Sequence, residues 1–221
     1  MGVGNGLKER LARRAAQEVE ENTVVNLGIG IPSLVPDFLP GGFPVLFQSE
    51  NGIIGIGGVP GKGREDPTLC NAGGYPVTLV KGGAFTDSAV AFAMIRRGLI
   101  DLTILGSLQV SGKGDLANWI IPGKKVPGMG GATELAACAR RVIVVMTHTD
   151  KYGGPKILRE CTLPLTAKEC VSMIITDQAV FRFENGEMVL KEIFKPFSIE
   201  DIRSSTEAEF SVDPHVLFVE G

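Results

Sequence analysis

Glu50 is the residue whose placement most invites chemistry. It follows the apolar run Pro44-Val45-Leu46-Phe47-Gln48 and stands in Ser49-Glu50-Asn51-Gly52, so a carboxylate falls at the carboxyl end of an expected strand, directly before an Asn-Gly turn. In open α/β sheets ligands bind outside the carboxyl ends of the strands, which makes Glu50 a candidate catalytic carboxylate; the spacing alone is equally that of a solvated turn. Other chemistry is poorly provided for. His148, in Thr147-His148-Thr149-Asp150, would suit a Ser/His/Asp hydrolase, yet no G-x-S-x-G elbow accompanies it. Cys70, Cys138, Cys161 and Cys170 lack C-x-x-C spacing, and with only His148 and His215 beside them no metal site is expected. They read as reduced core residues, because nothing in the sequence supplies the low-pKa surroundings of a catalytic thiol. The turn Gly28-Ile29-Gly30-Ile31-Pro32 could receive a phosphate, but it lacks the third glycine of a dinucleotide fingerprint and reads as a core turn lining the site.

The elements that must position these residues follow from apolar periodicity. Leu7, Leu11, Ala15 and Val19 recur every four residues among charges, the pattern of an amphipathic helix. Val24 to Leu27 and Pro44 to Gln48 read as short buried strands, and Val77 to Val80 as another. A helix from Asp87 to Arg97, with Thr86, Asp87 and Ser88 as possible caps, leads into the strand Leu102 to Leu105. A short helix over Glu134 to Arg140 precedes the wholly apolar strand Val142 to Met146. Continuous apolar strands alternating with helices imply an α/β fold whose mainly parallel sheet is covered by helices on both faces. The last third differs: Ala179 to Phe183 and Glu187 to Ile193 alternate about Glu184-Asn185-Gly186, which predicts a small antiparallel C-terminal hairpin. Ser198 with Asp201 predicts a capped terminal helix. Residues 55–74 and 106–131 read as long loops, which in compact domains tend to be functional.

A chain of 221 residues, 44% of them hydrophobic, can bury one substantial core without disulfides or metal, so a single domain over 1–221 is expected. The net charge of -3 comes from interspersed acidic and basic residues, which argues against nucleic-acid partners and a polybasic membrane anchor. No apolar run approaches a membrane span and Met1 to Asn22 lacks an apolar signal core, so the expected setting is cytoplasmic.

The wider string Phe47-Gln48-Ser49-Glu50-Asn51-Gly52-Ile53-Ile54-Gly55 resembles the glutamate signature of the 3-oxoacid (family I) CoA transferases. Val25-Asn26-Leu27-Gly28-Ile29-Gly30-Ile31-Pro32, Asn71-Ala72-Gly73, Phe92-Ala93-Met94-Ile95-Arg96, Gly114 to Trp119, Ile121 to Lys124, Gly128-Met129-Gly130-Gly131-Ala132 and Cys161 to Thr166 resemble the same family in the same order. The matches are those of the β subunit, and they imply its NagB-like fold.

In that family the glutamate attacks an acyl-CoA, forming an acyl-glutamyl anhydride that CoA thiolate reopens as a glutamyl-CoA thioester; a second acid reverses the steps. The resemblance therefore implies Glu50 as nucleophile and no permanently bound cofactor, coenzyme A being substrate and covalent intermediate. A carboxylate is demanded because only an anhydride conserves the reactivity of a thioester. No general base is obligatory, but the tetrahedral oxyanion needs donors, and the resemblance maps one onto the backbone amide of Gly131, where a helix start presents free N–H groups. Asn51, Gly52, Gly28, Gly30, Gly73, Gly130 and Lys124 are the expected CoA-binding and substrate-binding residues; for Asn51 and Gly52, simply making the turn is an equal alternative. Lys62, Arg64, Lys81, Lys113 and Lys125 are further loop cations for a polyanionic ligand. An α subunit is the implied partner, acyl-CoA and a short-chain carboxylic or 3-oxo acid the implied substrates. A CoA-thioester hydrolase or decarboxylase on the same scaffold, and a non-catalytic ligand-binding subunit, are the alternatives. Two departures stand out: Thr133-Glu134 where the family has Met-Asp, and Arg96-Arg97-Gly98-Leu99 where relatives often have Arg-Gly-Gly-His.

Overall fold

The structure, a computed structural model, describes residues 4–123 and 129–220. In chain order its elements are α1 (Asn5–Ala16), β1 (Thr23–Leu27), a 3-10 helix (Pro32–Phe38), β2 (Val45–Ser49), β3 (Ile53–Ile56), β4 (Leu79–Phe85), α2 (Ser88–Arg96), β5 (Leu102–Gly106), β6 (Gln109–Ser111), β7 (Leu116–Ala117), α3 (Ala132–Cys138), β8 (Arg141–Val145), β9 (Ile157–Leu158), β10 (Met173–Ile175), β11 (Ala179–Glu184), β12 (Glu187–Phe194), α4 (Ile199–Ser205) and β13 (Ser211–Val219). Ten strands form one sheet in the order β13-β12-β11-β10-β8-β5-β1-β2-β3-β4, and β7-β6-β9 form a small second sheet. The centre, β10-β8-β5-β1-β2, is parallel throughout. Antiparallel pairs flank it on both sides.

Helices cover both faces, as the unbroken apolar strands require. On one face α1 buries Leu11, Ala12 and Ala15 against Val25, Leu102, Ile104, Ile143 and Val145. On the other, Ile95 of α2 and Leu135 of α3 pack with Ile100 over Val24, while Val142, Val144 and Ile174 meet Ile202 of α4 and the small sheet. The Asp87 carboxylate caps α2 by accepting from the Val90 N–H, 2.8 Å away. Ser198 and Asp201 form a reciprocal capping box on α4.

Several expectations shift. The strand expected at Val77 to Val80 begins at Leu79 and runs to Phe85, which places Lys81 on an edge strand and not in a loop. The stretch expected as a loop from Gly55 begins inside β3, where Gly55 adopts φ 84° at a register shift opposite β4. The long loop from Gly106 carries β6 and β7, which β9 completes into a sheet. The helix expected over Glu134 to Arg140 starts and ends earlier, at Ala132 and Cys138. The hairpin β11-β12 turns at Asn185 and Gly186, both with positive φ, and extends the main sheet, with β13 added in parallel.

Candidate active site

β1 and β2 are neighbouring parallel strands, so their carboxyl ends lie side by side, and the turns after them, Gly28-Ile29-Gly30-Ile31 and Glu50-Asn51-Gly52, form one rim. Glu50 leaves β2 on the same face as Gln48, two residues before it. Register places Gln48 opposite Asn26 of β1, and Asn26 opposite Thr103 of β5. The Asn26 amide Nδ2 donates to Glu50 Oε2 at 3.2 Å, to Gln48 Oε1 at 2.9 Å and to the Gln48 carbonyl at 3.2 Å. A half-buried carboxylate and two buried amides thus share one row at the end of the sheet.

The second wall comes from Gly131, where α3 begins. A Cβ built on Gly131 would stand 2.7 Å from Glu50 Cγ and 3.2 Å from Oε1, so the glutamate lies flat against a backbone with no side chain. Gly131 itself has φ -83° and ψ 4°, which any residue adopts; space, not conformation, demands the glycine. Gly130, with φ 55° and open space around it, is the opposite case.

Of the turn residues, Gly52 is structural. Its φ is 102°, and a Cβ there would fall 2.1 Å from the Thr86 carbonyl oxygen, whose residue returns an N–H to the Gly52 carbonyl at 2.8 Å. Asn51 donates from Nδ2 to the Cys70 carbonyl at 2.8 Å, and Ser49 Oγ accepts from the Ala72 N–H at 3.2 Å, so both fasten the 70–74 segment to the glutamate turn. Gly73 then rests on the Gly28–Ile31 turn, a Cβ there meeting Ile29 Cγ2 at 3.2 Å. Gly28 extends β1 by donating to the Ile104 carbonyl at 2.8 Å. Gly30 has φ 82° in open space. Ile29 and Tyr75 both lie against Gly73 and are exposed, leaving an apolar margin on the 70–74 segment.

The structure therefore brings Glu50, Asn51, Gly52 and Gly131 together, with Gly28, Gly30 and Gly73 on the adjoining turns. Lys124, Lys125 and Gly128 lie outside the described residues. Lys62, Arg64 and Lys81 are exposed, and with Lys113 they form no ion pair among the described residues. Sequence reasoning missed Asn26 and Gln48. Their signal was two amides interrupting otherwise apolar strands, and only register shows that they meet.

The remaining candidates are occupied elsewhere. His148 is fully buried, its ring nitrogens 2.9 Å from the Thr176 and Thr206 hydroxyls, and burial lowers its pKa to about 4. Asp150 accepts from the Tyr152 and Gly154 N–H groups, capping a turn. Burial pushes the Cys161 thiol up to about 11 and the Cys170 thiol to about 12, so both stay protonated. Among the described residues, no group of His, Cys, Asp or Glu could hold a metal ion, and no helix is long and apolar enough to cross a membrane. The longer acid of the Thr133-Glu134 departure reaches Arg96 of α2 at 2.9 Å, joining two helices.

Comparison with known proteins gives the family of the chain. The family model described as Coenzyme A transferase matches residues 8–205. The chain is 56% identical over 213 residues to a protein of Bacillus subtilis named as the beta subunit of a probable coenzyme A transferase, covering 96% of this chain and 98% of that one. It is 50% identical over 210 residues to one subunit of the same organism's probable succinyl-CoA:3-ketoacid coenzyme A transferase, covering 95% and 97%. In fold, it aligns at TM-score 0.80 and 20% identity with the crystal structure of an acyl-CoA transferase from Escherichia coli O157:H7, over 100% of this chain and 44% of the other. With Asn26, Glu50 and Gly131 all inside the matched span, this chain belongs to the coenzyme A transferase family, as one subunit of such an enzyme.

Proposed function

We propose that this chain is the glutamate-bearing β subunit of a transferase that moves CoA between an acyl-CoA and a short-chain 3-oxo or carboxylic acid, with Glu50 as the covalent carrier. The observation that carries this reading is the Glu50 carboxylate at the carboxyl end of β2, held between the Asn26 amide and the bare backbone of Gly131. Glu50 attacks the acyl carbon, the C–S bond breaks and CoA leaves as thiolate. The thiolate then attacks Glu50 Cδ, the Cδ–O bond to the acyl group breaks, and the first acid departs as its carboxylate. A second carboxylate reverses both steps. No proton need move, so a site without a histidine at the carboxylate suffices.

The backbone amide of Gly131 is assigned as an oxyanion donor, and Lys124 and the 28–31 and 70–74 turns as CoA-binding surface. An α subunit in a hetero-oligomer completes the site, a role supported by the subunit names of the relatives. Acetoacetate with succinyl-CoA or acetyl-CoA is the proposed substrate pair, supported by the 3-ketoacid relative. The chain works as one domain, with no permanent cofactor. Four free cysteines fit a reducing compartment and hence the cytoplasm.

The test is borohydride trapping of the assembled complex after incubation with acyl-CoA, followed by mass mapping. The expected result is modification at Glu50, turnover that depends on the acceptor acid, and activity lost in Glu50→Ala. Turnover with Glu50 unmodified overturns the carrier role; release of free CoA without an acceptor means a hydrolase instead. Full activity of the chain alone removes the partner.

A further inference from the structure

We infer that Asn26 is a second oxyanion donor of this site, acting on Glu50 Oε2, and that Oε1 is the oxygen that attacks the acyl group; this rests on the carrier role proposed for Glu50. Asn26 is 1% exposed on a strand whose neighbours Val25 and Leu27 are apolar. Its orientation is set by its surroundings. Nδ2 faces three acceptors, namely Glu50 Oε2, Gln48 Oε1 and the Gln48 carbonyl; turning the amide over would point Oδ1 at all three. The donor therefore addresses Glu50, and Gln48 holds it there.

Packing does not repay this arrangement. Asn26 Oδ1 and Gln48 Nε2 are buried without hydrogen-bond partners among the described residues. Unsatisfied buried polar atoms are costly and uncommon, and a catalytic role is one recognised reason a fold keeps them. Apolar residues would fill this row at lower cost. What Asn26 supplies in exchange is a preorganised donor at one oxygen of the reacting carboxylate.

The chemistry gives the two oxygens separate fates. Oε1, on the Gly131 side, bonds to the acyl carbon as the thioester C–S bond breaks. When thiolate adds to Cδ, the pair of the Cδ=Oε2 bond moves onto Oε2, which becomes the oxyanion within reach of Asn26 Nδ2. Collapse restores Cδ=Oε2, and Oε1 leaves within the product carboxylate. Oε2 alone stays on the enzyme as the thioester carbonyl. A donor at Oε2 is stronger in the tetrahedral state than with the resting carboxylate, whose charge is shared over both oxygens, so it accelerates the step.

The experiment uses the assembled complex, with Asn26→Ser, the near-isosteric Asn26→Asp and, as control, Thr103→Val, which removes a hydroxyl from β5 beside Asn26 and leaves the hydrogen bond to Glu50 in place. For Asn26→Ser we expect kcat to fall about 100-fold, the range seen on loss of one oxyanion donor, with KM for acyl-CoA changed less than about threefold. For Asn26→Asp, a second carboxylate beside Glu50 disfavours its ionised form, so the acid limb of kcat/KM moves up by about one pH unit or more. Thr103→Val should stay within about twofold of wild type, as expected of a polar group outside the reaction. In wild type, a crystal structure of the trapped thioester should place its carbonyl oxygen against Asn26 Nδ2 even if no variant folds. Unchanged kcat and pH limb in folded Asn26 variants, an equal loss in Thr103→Val, or a thioester carbonyl turned away from Asn26 each overturn the inference. Absence of any Glu50 thioester in wild type would instead refute the carrier role beneath it.

Discussion

Glu50 lies against the Cα of Gly131 so closely that a methyl group there would stand 2.7 Å from the glutamate Cγ. Because the backbone of Gly131 suits alanine, with φ -83° and ψ 4°, the clash is with the Glu50 side chain alone. Gly131→Ala should therefore leave the fold intact and push Glu50 aside. A displacement near 1 Å can cost about 100-fold in rate, so kcat is expected to fall by about that factor. Turnover measured beside a thermal melt checks it: a Tm drop of many degrees with normal specific activity of the folded fraction refutes the displacement.

Gly52→Ala should act the other way, on stability first. Its Cβ would fall 2.1 Å from the backbone oxygen of Thr86, a group that cannot rotate away, at φ 102°. Strained backbone and overpacking together are worth about 2–4 kcal/mol. Urea unfolding of wild type and variant measures it, and a midpoint within error of wild type would show that the turn relaxes freely.

His148 makes stability pH-dependent. Burial holds its pKa at about 4, against an ordinary 6.5, with Asp177 opposing the shift and Lys156 adding to it. The folded state thus binds its proton less readily than the unfolded chain. The contribution of His148 is complete above pH about 6.5 and is lost as pH falls toward about 4, a span worth roughly 3 kcal/mol. Unfolding free energies across that window should decline in wild type and less steeply in His148→Gln. Parallel slopes would assign the acid sensitivity to other groups.

Much of the scaffold was legible because local chemistry specifies it: Asp87 caps α2, Ser198 with Asp201 caps α4, and Asn185-Gly186 turns the β11-β12 hairpin. The missed strands lack a local signal. β10 is only Met173–Ile175, too short for periodicity. β13 contains Asp213 and Pro214, which argue against a strand, yet it lies at the sheet's edge, where a missing N–H costs no ladder bond. β3 hides behind Gly55, whose positive φ marks a register shift.

For the site, the candidate carboxylate was legible from its neighbours: the Ser49-Glu50-Asn51-Gly52 string puts Glu50 at the carboxyl end of β2, because an apolar strand followed by a glycine turn can be read locally. What the carboxylate meets depends instead on contacts between distant segments. Asn26 stands 24 positions from Glu50 and reaches it through the parallel register of β1 with β2, while Gly131 follows β3, β4, α2, β5, β6 and β7 along the chain. Register and close approach are settled by packing between distant segments, which no local pattern records.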